Sequence, residues 1–306
     1  MVVGTTTIDV VLTGTDRLPA AGADEFTADS IALLEDPVQL TLGGNGANTA
    51  AVYARLGGAV ALVSTVGGDE LGGLAIGRLA EAGVDLTALR RDGSEATACT
   101  VVATDRARRR LALHHAGASS SLSRADVPDE LLGRASVVLL TSYHLLPALR
   151  GETAAALLRH AHACGALTAL DLGPCVEPFA DLHEVAPVLR KTDLVLANEH
   201  EVGISTAGAG CAALLAAGAG AVVEKRGAHG SCFSDAGGDI VVLASEVAAT
   251  STVGAGDAFD AGYLFAVGRG DPPERALAFA NVTAALTLAR GIPRAPAAAE
   301  VDAALG

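Results

Sequence analysis

Residues 252–266 read TVGAGDAFDAGYLFA: a run of small residues closed by an acid, then at once an apolar helical pattern. A helix begins with unpaired backbone N–H groups and partial positive charge, so a Gly/Ala-rich turn leading into it lets an anion come close to those donors. Gly254, Ala255 and Gly256 add little bulk, and Asp257 falls within the first turn. An acid there also stabilises a helix dipole, so this stretch alone does not separate a cap from an anion site.

A second Gly-rich turn stands at residues 42–57, LGGNGANTAAVYARLG. Gly43, Gly44 and Gly46 lead into an amphipathic pattern, and two amides, Asn45 and Asn48, face the start of that helix. Amides donate and accept together, which matches the hydroxyls of a polyol. Neither stretch has the G-x-x-x-x-G-K-[ST] of a P-loop or the G-x-G-x-x-G of a dinucleotide site, which disfavours a nicotinamide enzyme.

Around these turns, strand-like apolar runs alternate with helix-compatible ones: AVALVSTVG then GLAIGRLAEAGV, ASVVLLTSYH then ETAAALLRHAHACG, LTALDLGP then TDLVLANEHEVG, and AGAVVEKRG before two C-terminal helical patterns. The order predicts an α/β protein with a mostly parallel sheet covered on both faces. The opening MVVGTTTIDVVLTG reads as a first strand. Two segments, residues 10–42 and about 94–116, alternate apolar with polar residues, which predicts half-exposed antiparallel strands forming a small β appendage or lid. No repeat or Pro/Ser-rich linker divides the 306 residues.

Composition excludes other classes. No apolar run approaches the roughly 18–20 residues of a membrane span, and the start lacks the basic flank of a secretory signal. The formal charge of −14 argues against nucleic acid or anionic lipid as a partner, and with 3% aromatics stacked single-stranded bases are a poor fit. Five scattered cysteines (Cys99, Cys164, Cys175, Cys211, Cys232) suit a reducing cytoplasm rather than a zinc site or disulfide framework.

Together the two Gly-rich turns resemble the signature regions of the ribokinase-like, PfkB-type carbohydrate kinases, and the resemblance covers nearly the whole chain. GTTTID (4–9) is similar to the family's first strand ending in a substrate-binding Asp, GGNGANTA to its GG-x-x-x-N element, TVGGDELG (65–72) to its usual neighbour. NEHE (198–201) matches N-x-x-E, KRGAHG (225–230) the Gly-bearing nucleotide segment, and GAGD the catalytic turn. The resemblance implies a doubly wound α/β fold with a small β lid, as one kinase domain over 1–306, and ATP-dependent phosphorylation of a hydroxyl, expected to be a hydroxymethyl group, on a sugar or sugar-like alcohol. Asp257 is then the catalytic base, ionised at an ordinary carboxylate pKa, beside an anion hole at Gly254, Ala255 and Gly256. Asp9, Gly43, Gly44, Asn45, Asn48 and His144 fall to the sugar. Asn198, Lys225, Gly227, Gly230 and Asn281 fall to the nucleotide, and Glu201 to Mg2+ through water. A homodimer through the lid is expected.

Three departures qualify the match. Ser251 stands where the family usually has an Asp that helps hold a monovalent cation, which puts a potassium site in doubt. Thr7 and Asn45 replace an Asn and a Lys of ribokinase, so the sugar need not be ribose. Arg106, Arg108, Arg109 and Arg110 fall in the lid, where an anionic or phosphorylated sugar would give them a purpose. A nucleoside kinase, with Phe26, Tyr53 or Tyr143 against the base, and a non-catalytic sugar-binding relative are the competing readings.

Overall fold

The computed structural model describes residues 1–19, 30–107, 109–174, 182–244 and 254–306. Thirteen strands are found among them: β1 Val2–Val3, β2 Thr7–Thr15, β3 Gln39–Gly43, β4 Leu62–Gly67, β5 Leu89–Asp92, β6 Ala98–Asp105, β7 Arg110–His115, β8 Val137–Leu140, β9 Leu167–Asp171, β10 Leu194–Asn198, β11 Ala221–Lys225, β12 Ser231–Asp235 and β13 Gly238–Val242. The helices are α1 Asn45–Arg55, α2 Glu70–Ala82, α3 Asp129–Leu132, α4 Gly151–Ala163, α5 Leu182–Leu189, α6 Glu199–Ser205, α7 Cys211–Ala216, α8 Ala255–Gly268, α9 Pro273–Arg290 and α10 Ala298–Leu305.

Nine strands form one sheet in the order β13-β12-β11-β10-β9-β8-β1-β4-β5, parallel except for β12 and β13. Its central strands, β8 to β11, are largely apolar on both sides, as a sheet covered twice requires. In β10, Leu194 and Leu196 enter one core with residues of α1, α2, α8, α9 and α10, while Val195 and Ala197 enter the other with α4 and α5. The doubly wound α/β architecture is therefore present. A second sheet, β3-β2-β6-β7, stands apart from it.

Several local expectations need correction. The smaller sheet is mixed: β2 pairs β3 antiparallel but β6 in parallel. The first strand is split, because β1 holds only two residues in the large sheet and the chain resumes at Thr7 as the second strand of the small one. Asp9 thus lies within a small-sheet strand rather than at the end of the first large-sheet strand. TDLVLANEHEVG is a buried strand followed by a short helix, its continuous apolar run being that of a strand covered on both faces. The hairpin β12–β13 and the third C-terminal helix, α10, had no counterpart in the sequence pattern.

Candidate active site

The catalytic-turn sequence folds as its composition demands. Gly254 caps α8 with φ 78°, a left-handed conformation that suits glycine, and Asp257 sits buried in the first turn at 8% exposure. Across from it, Gly44 caps α1. That helix carries Asn48, whose Nδ2 donates to Asp257 Oδ2 at 2.8 Å across 209 residues of sequence. The amide's other end, Oδ1, is buried without a hydrogen-bond partner. A buried acceptor left open is costly, so this oxygen is poised for a hydroxyl donor.

Three adjacent parallel strands end on polar residues at the same edge of the sheet: β9 on Asp171, β10 on Asn198, β11 on Lys225. Lys225 Nζ lies 3.1 Å from Asp171 Oδ1 and 3.0 Å from both carboxylate oxygens of Asp260. Thr141 Oγ1 donates to Asp171 Oδ2 at 2.6 Å. Asn198 and Glu201 cap α6 reciprocally: Asn198 Oδ1 accepts from the Glu201 N–H at 2.9 Å and Glu201 Oε2 from the Asn198 N–H at 2.8 Å.

Burial pushes the Asp257 carboxyl up to about 6; the Asn48 hydrogen bond opposes this and the Asp171 charge adds to it. The ordinary pKa read from sequence is thereby corrected. Glu201 is raised to about 7, first by burial and then by Asp171, against the pull of Lys225. Burial works against the Lys225 ammonium, but Asp171, Asp260 and Glu201 outweigh it and hold the group protonated.

A cavity of about 1240 Å3 opens onto this edge, lined by Asn45, Asp171, Asn198, Glu201, Lys225, Gly227, Gly230, Asn281 and residues 254–257, among others. It exceeds the roughly 300–1,000 Å3 of a single small-ligand pocket. Gly227 and Gly230 flank the turn after β11. Asn281 Nδ2 reaches the Leu243 carbonyl at 3.2 Å, tying α9 to the chain just past β13.

Asp9 is buried at 8% on the small sheet, in a cross-strand row with Thr41, Thr100 and His114. Thr7 Oγ1 donates to its Oδ1 at 2.9 Å. A Cβ at Gly43 would stand 2.3 Å from that oxygen, so only glycine leaves the carboxylate its place. Burial raises the Asp9 pKa, against hydrogen bonds from Thr7 and Thr100. His144 is buried, edge-to-face with Tyr143 at 5.2 Å; like Asp9, Gly43, Gly44 and Asn48, it is not among the residues lining the cavity. Arg106 pairs with Asp16 and Glu35 and Arg109 with Asp105, so neither is held in reserve for an anionic sugar. Ser251, Phe26 and Arg108 lie outside the described residues. Asp171 and Asp260 were not read from sequence; the signals for them were an acid closing the apolar run LTALD and an acid three residues beyond Asp257, on the same helix face.

With this geometry in hand, the pattern described as pfkB family carbohydrate kinase matches residues 1–298. The chain belongs to the pfkB carbohydrate kinase family. It is an enzyme, an ATP-dependent kinase acting on an alcohol group of a sugar or sugar-like substrate. An ATP-dependent ribose-1-phosphate kinase of Halopiger xanaduensis is 32% identical over 273 residues, 86% of each chain. A nucleoside kinase of Methanothermobacter thermautotrophicus is 28% identical, over 85% of this chain and 82% of its own. Among solved structures, the Arabidopsis thaliana ribokinase with ribose and ATP is 26% identical, with a TM-score of 0.82 over 99% of this chain and 97% of that one. No helix among the described residues of this kinase is long and apolar enough to cross a membrane.

Proposed function

We propose that this kinase transfers the γ-phosphoryl group of ATP to the hydroxymethyl group of a ribose-type sugar, free or already phosphorylated, in the reducing cytoplasm. The observation that carries the reading is the Asn48–Asp257 pair, a buried carboxylate and an open amide oxygen at the mouth of a helix beside a large cavity. Asp257 takes the hydroxyl proton as the oxygen attacks phosphorus. The N–H groups at Gly254, Ala255 and Gly256 hold the charge spread over the phosphoryl oxygens. Asp9, Gly43, Gly44, Asn45 and Asn48 bind the sugar, and the small sheet, as the lid of one kinase domain over 1–306, excludes water.

Asn198, Gly227, Gly230 and Asn281 border the nucleotide. Among the described residues no three His, Cys, Asp or Glu side chains form a cage for a metal ion. Mg2+ keeps most of its water and needs one or two carboxylates, so Glu201, buried at the cavity and with Oε1 not used in the cap, fits. When bound, the ion neutralises triphosphate charge. Sugar is favoured over nucleoside because the two described aromatics read as base partners are engaged elsewhere: Tyr53 packs on Phe265 at 5.6 Å and Tyr143 is fully buried.

The test is ATP-dependent product formation with ribose, ribose 1-phosphate, fructose and adenosine. Asp257→Ala should lower kcat by roughly 10²–10⁴-fold while sugar binding by calorimetry persists; near-normal turnover in that variant would remove Asp257 as the base.

A further inference from the structure

Lys225 is placed by the sequence pattern beside the nucleotide, yet its surroundings assign it a narrower task. The ammonium is suspended between two carboxylates whose side chains are each 1% exposed, Asp171 from the end of β9 and Asp260 from the second turn of α8. Thr141, just past β8, fixes Asp171 in turn. Four elements therefore converge to hold one nitrogen. That nitrogen lies 3.6 Å from where a Cβ on Gly256 would stand, directly against the turn that cradles the anion, and Lys225 lines the cavity there. An ammonium has three donors. Asp260, with both oxygens at 3.0 Å, is served by one bifurcated N–H and Asp171 by a second, which leaves the third for an acceptor in the cavity.

Resting on the kinase reading above, we infer that Lys225 is a catalytic residue, its ammonium contacting the phosphoryl group in transfer, and that Asp171 and Asp260 are positioning residues that hold it there. The sugar oxygen forms its bond to the γ-phosphorus while the bond from that phosphorus to the ADP oxygen breaks. The hydroxyl proton passes to Asp257. Lys225 keeps all its protons; its part is a fixed positive charge opposite the equatorial oxygens, where a pre-oriented cation acts most strongly. The alternative is a counter-ion for two buried acids. A buried pair can commonly be replaced by neutral groups without loss of stability, so the fold alone does not require this arrangement.

The two are separated by a neutralised variant. Lys225→Met alone strands two buried carboxylates and endangers folding, so Lys225→Met is combined with Asp171→Asn and Asp260→Asn, and the wild-type enzyme is the reference. Each is assayed with MgATP and the sugar that the wild-type enzyme phosphorylates, and melted thermally. The expected result is a triple variant melting close to the reference, with sugar KM within a few-fold but kcat lower by about 10²-fold or more, the scale of losing one preorganised donor to the transferring group. A folded triple variant whose kcat stays within about tenfold of the reference, less than the loss of one such donor, overturns the inference and leaves Lys225 a counter-ion. A wild-type enzyme that phosphorylates none of the sugars overturns the proposed function itself, so the two failures are distinct.

Discussion

At the scale of single residues, Asp257 shows how burial serves chemistry at the expense of the fold. Its carboxyl, raised to about 6 mainly by burial, is ionised at neutral pH yet basic enough to take a proton from an alcohol in the transition state. The groups facing it are Asn48, Asp171, Lys225 and Asp9. Protonation removes the base, so kcat/KM should fall on the acid side with a midpoint near 6, measured across pH 5–8 in buffers of constant ionic strength. A flat profile down to pH 5 would contradict this. Stability runs the other way. A carboxyl whose folded pKa lies above its unfolded 3.8 favours the fold when protonated, and that contribution is lost as the pH rises through about 6. Asp257→Asn keeps the site neutral at pH 8 and should stabilise by up to ~3 kcal/mol, seen as a melting temperature higher by roughly 2–4 °C per kcal/mol, with turnover abolished. Asp257 and Asn48 were legible in sequence because each stands next to a glycine-rich helix start. Asp171 and Asp260 were not, since their role exists only where Lys225 brings the ends of two strands and one helix together.

At the scale of elements, the long periodic segments were read correctly and the short ones were not. α2 and α4 carry enough turns for a 3.6-residue period to register, whereas β10 and α6 share twelve residues whose apolar run fits either state. The small sheet was visible as alternation, but the parallel pairing of β2 with β6 depends on the chain leaving the large sheet at Gly4, which no local pattern announces. Its strand contacts are tight where the sugar is proposed to bind. Gly43→Ala drives a methyl into Asp9, and overpacking of this kind costs about 1–3 kcal/mol. Sugar KM should rise about ten- to hundredfold with the KM for ATP nearly unchanged; equal effects on both would argue for general collapse of α1. Ser251, outside the described residues, stands in the sequence where the family resemblance implies an acid. A neutral oxygen holds a monovalent cation weakly, so rates in sodium, potassium and choline chloride should coincide, and strong activation by potassium alone would refute this.

At the scale of the whole molecule, the small sheet has two unlike faces. One presents the polar row Thr41, Asp9, Thr100 and His114. The other presents Leu40, Val10, Val101 and Leu113 in one row and Leu12, Ala103 and Leu111 in the next. Leu40, Leu111 and Leu113 are 43%, 45% and 62% exposed, a continuous apolar strip of the kind that monomers rarely leave in water. With four strands across and β7 at its edge, this face offers a self-complementary patch for its own copy about a two-fold axis, in which each leucine row would cover the other. We therefore expect the wild-type protein to sediment as a dimer. Leu113→Glu places a charge within that strip, on its edge strand β7, at a position already open to solvent in one chain, so it should yield monomers whose melting temperature, extrapolated to low protein concentration, matches that of the wild type. Sedimentation velocity decides the matter: a monomeric wild-type protein would leave the apolar face without a second copy to cover it, and a Leu113→Glu variant that remains dimeric would put the interface elsewhere on the molecule.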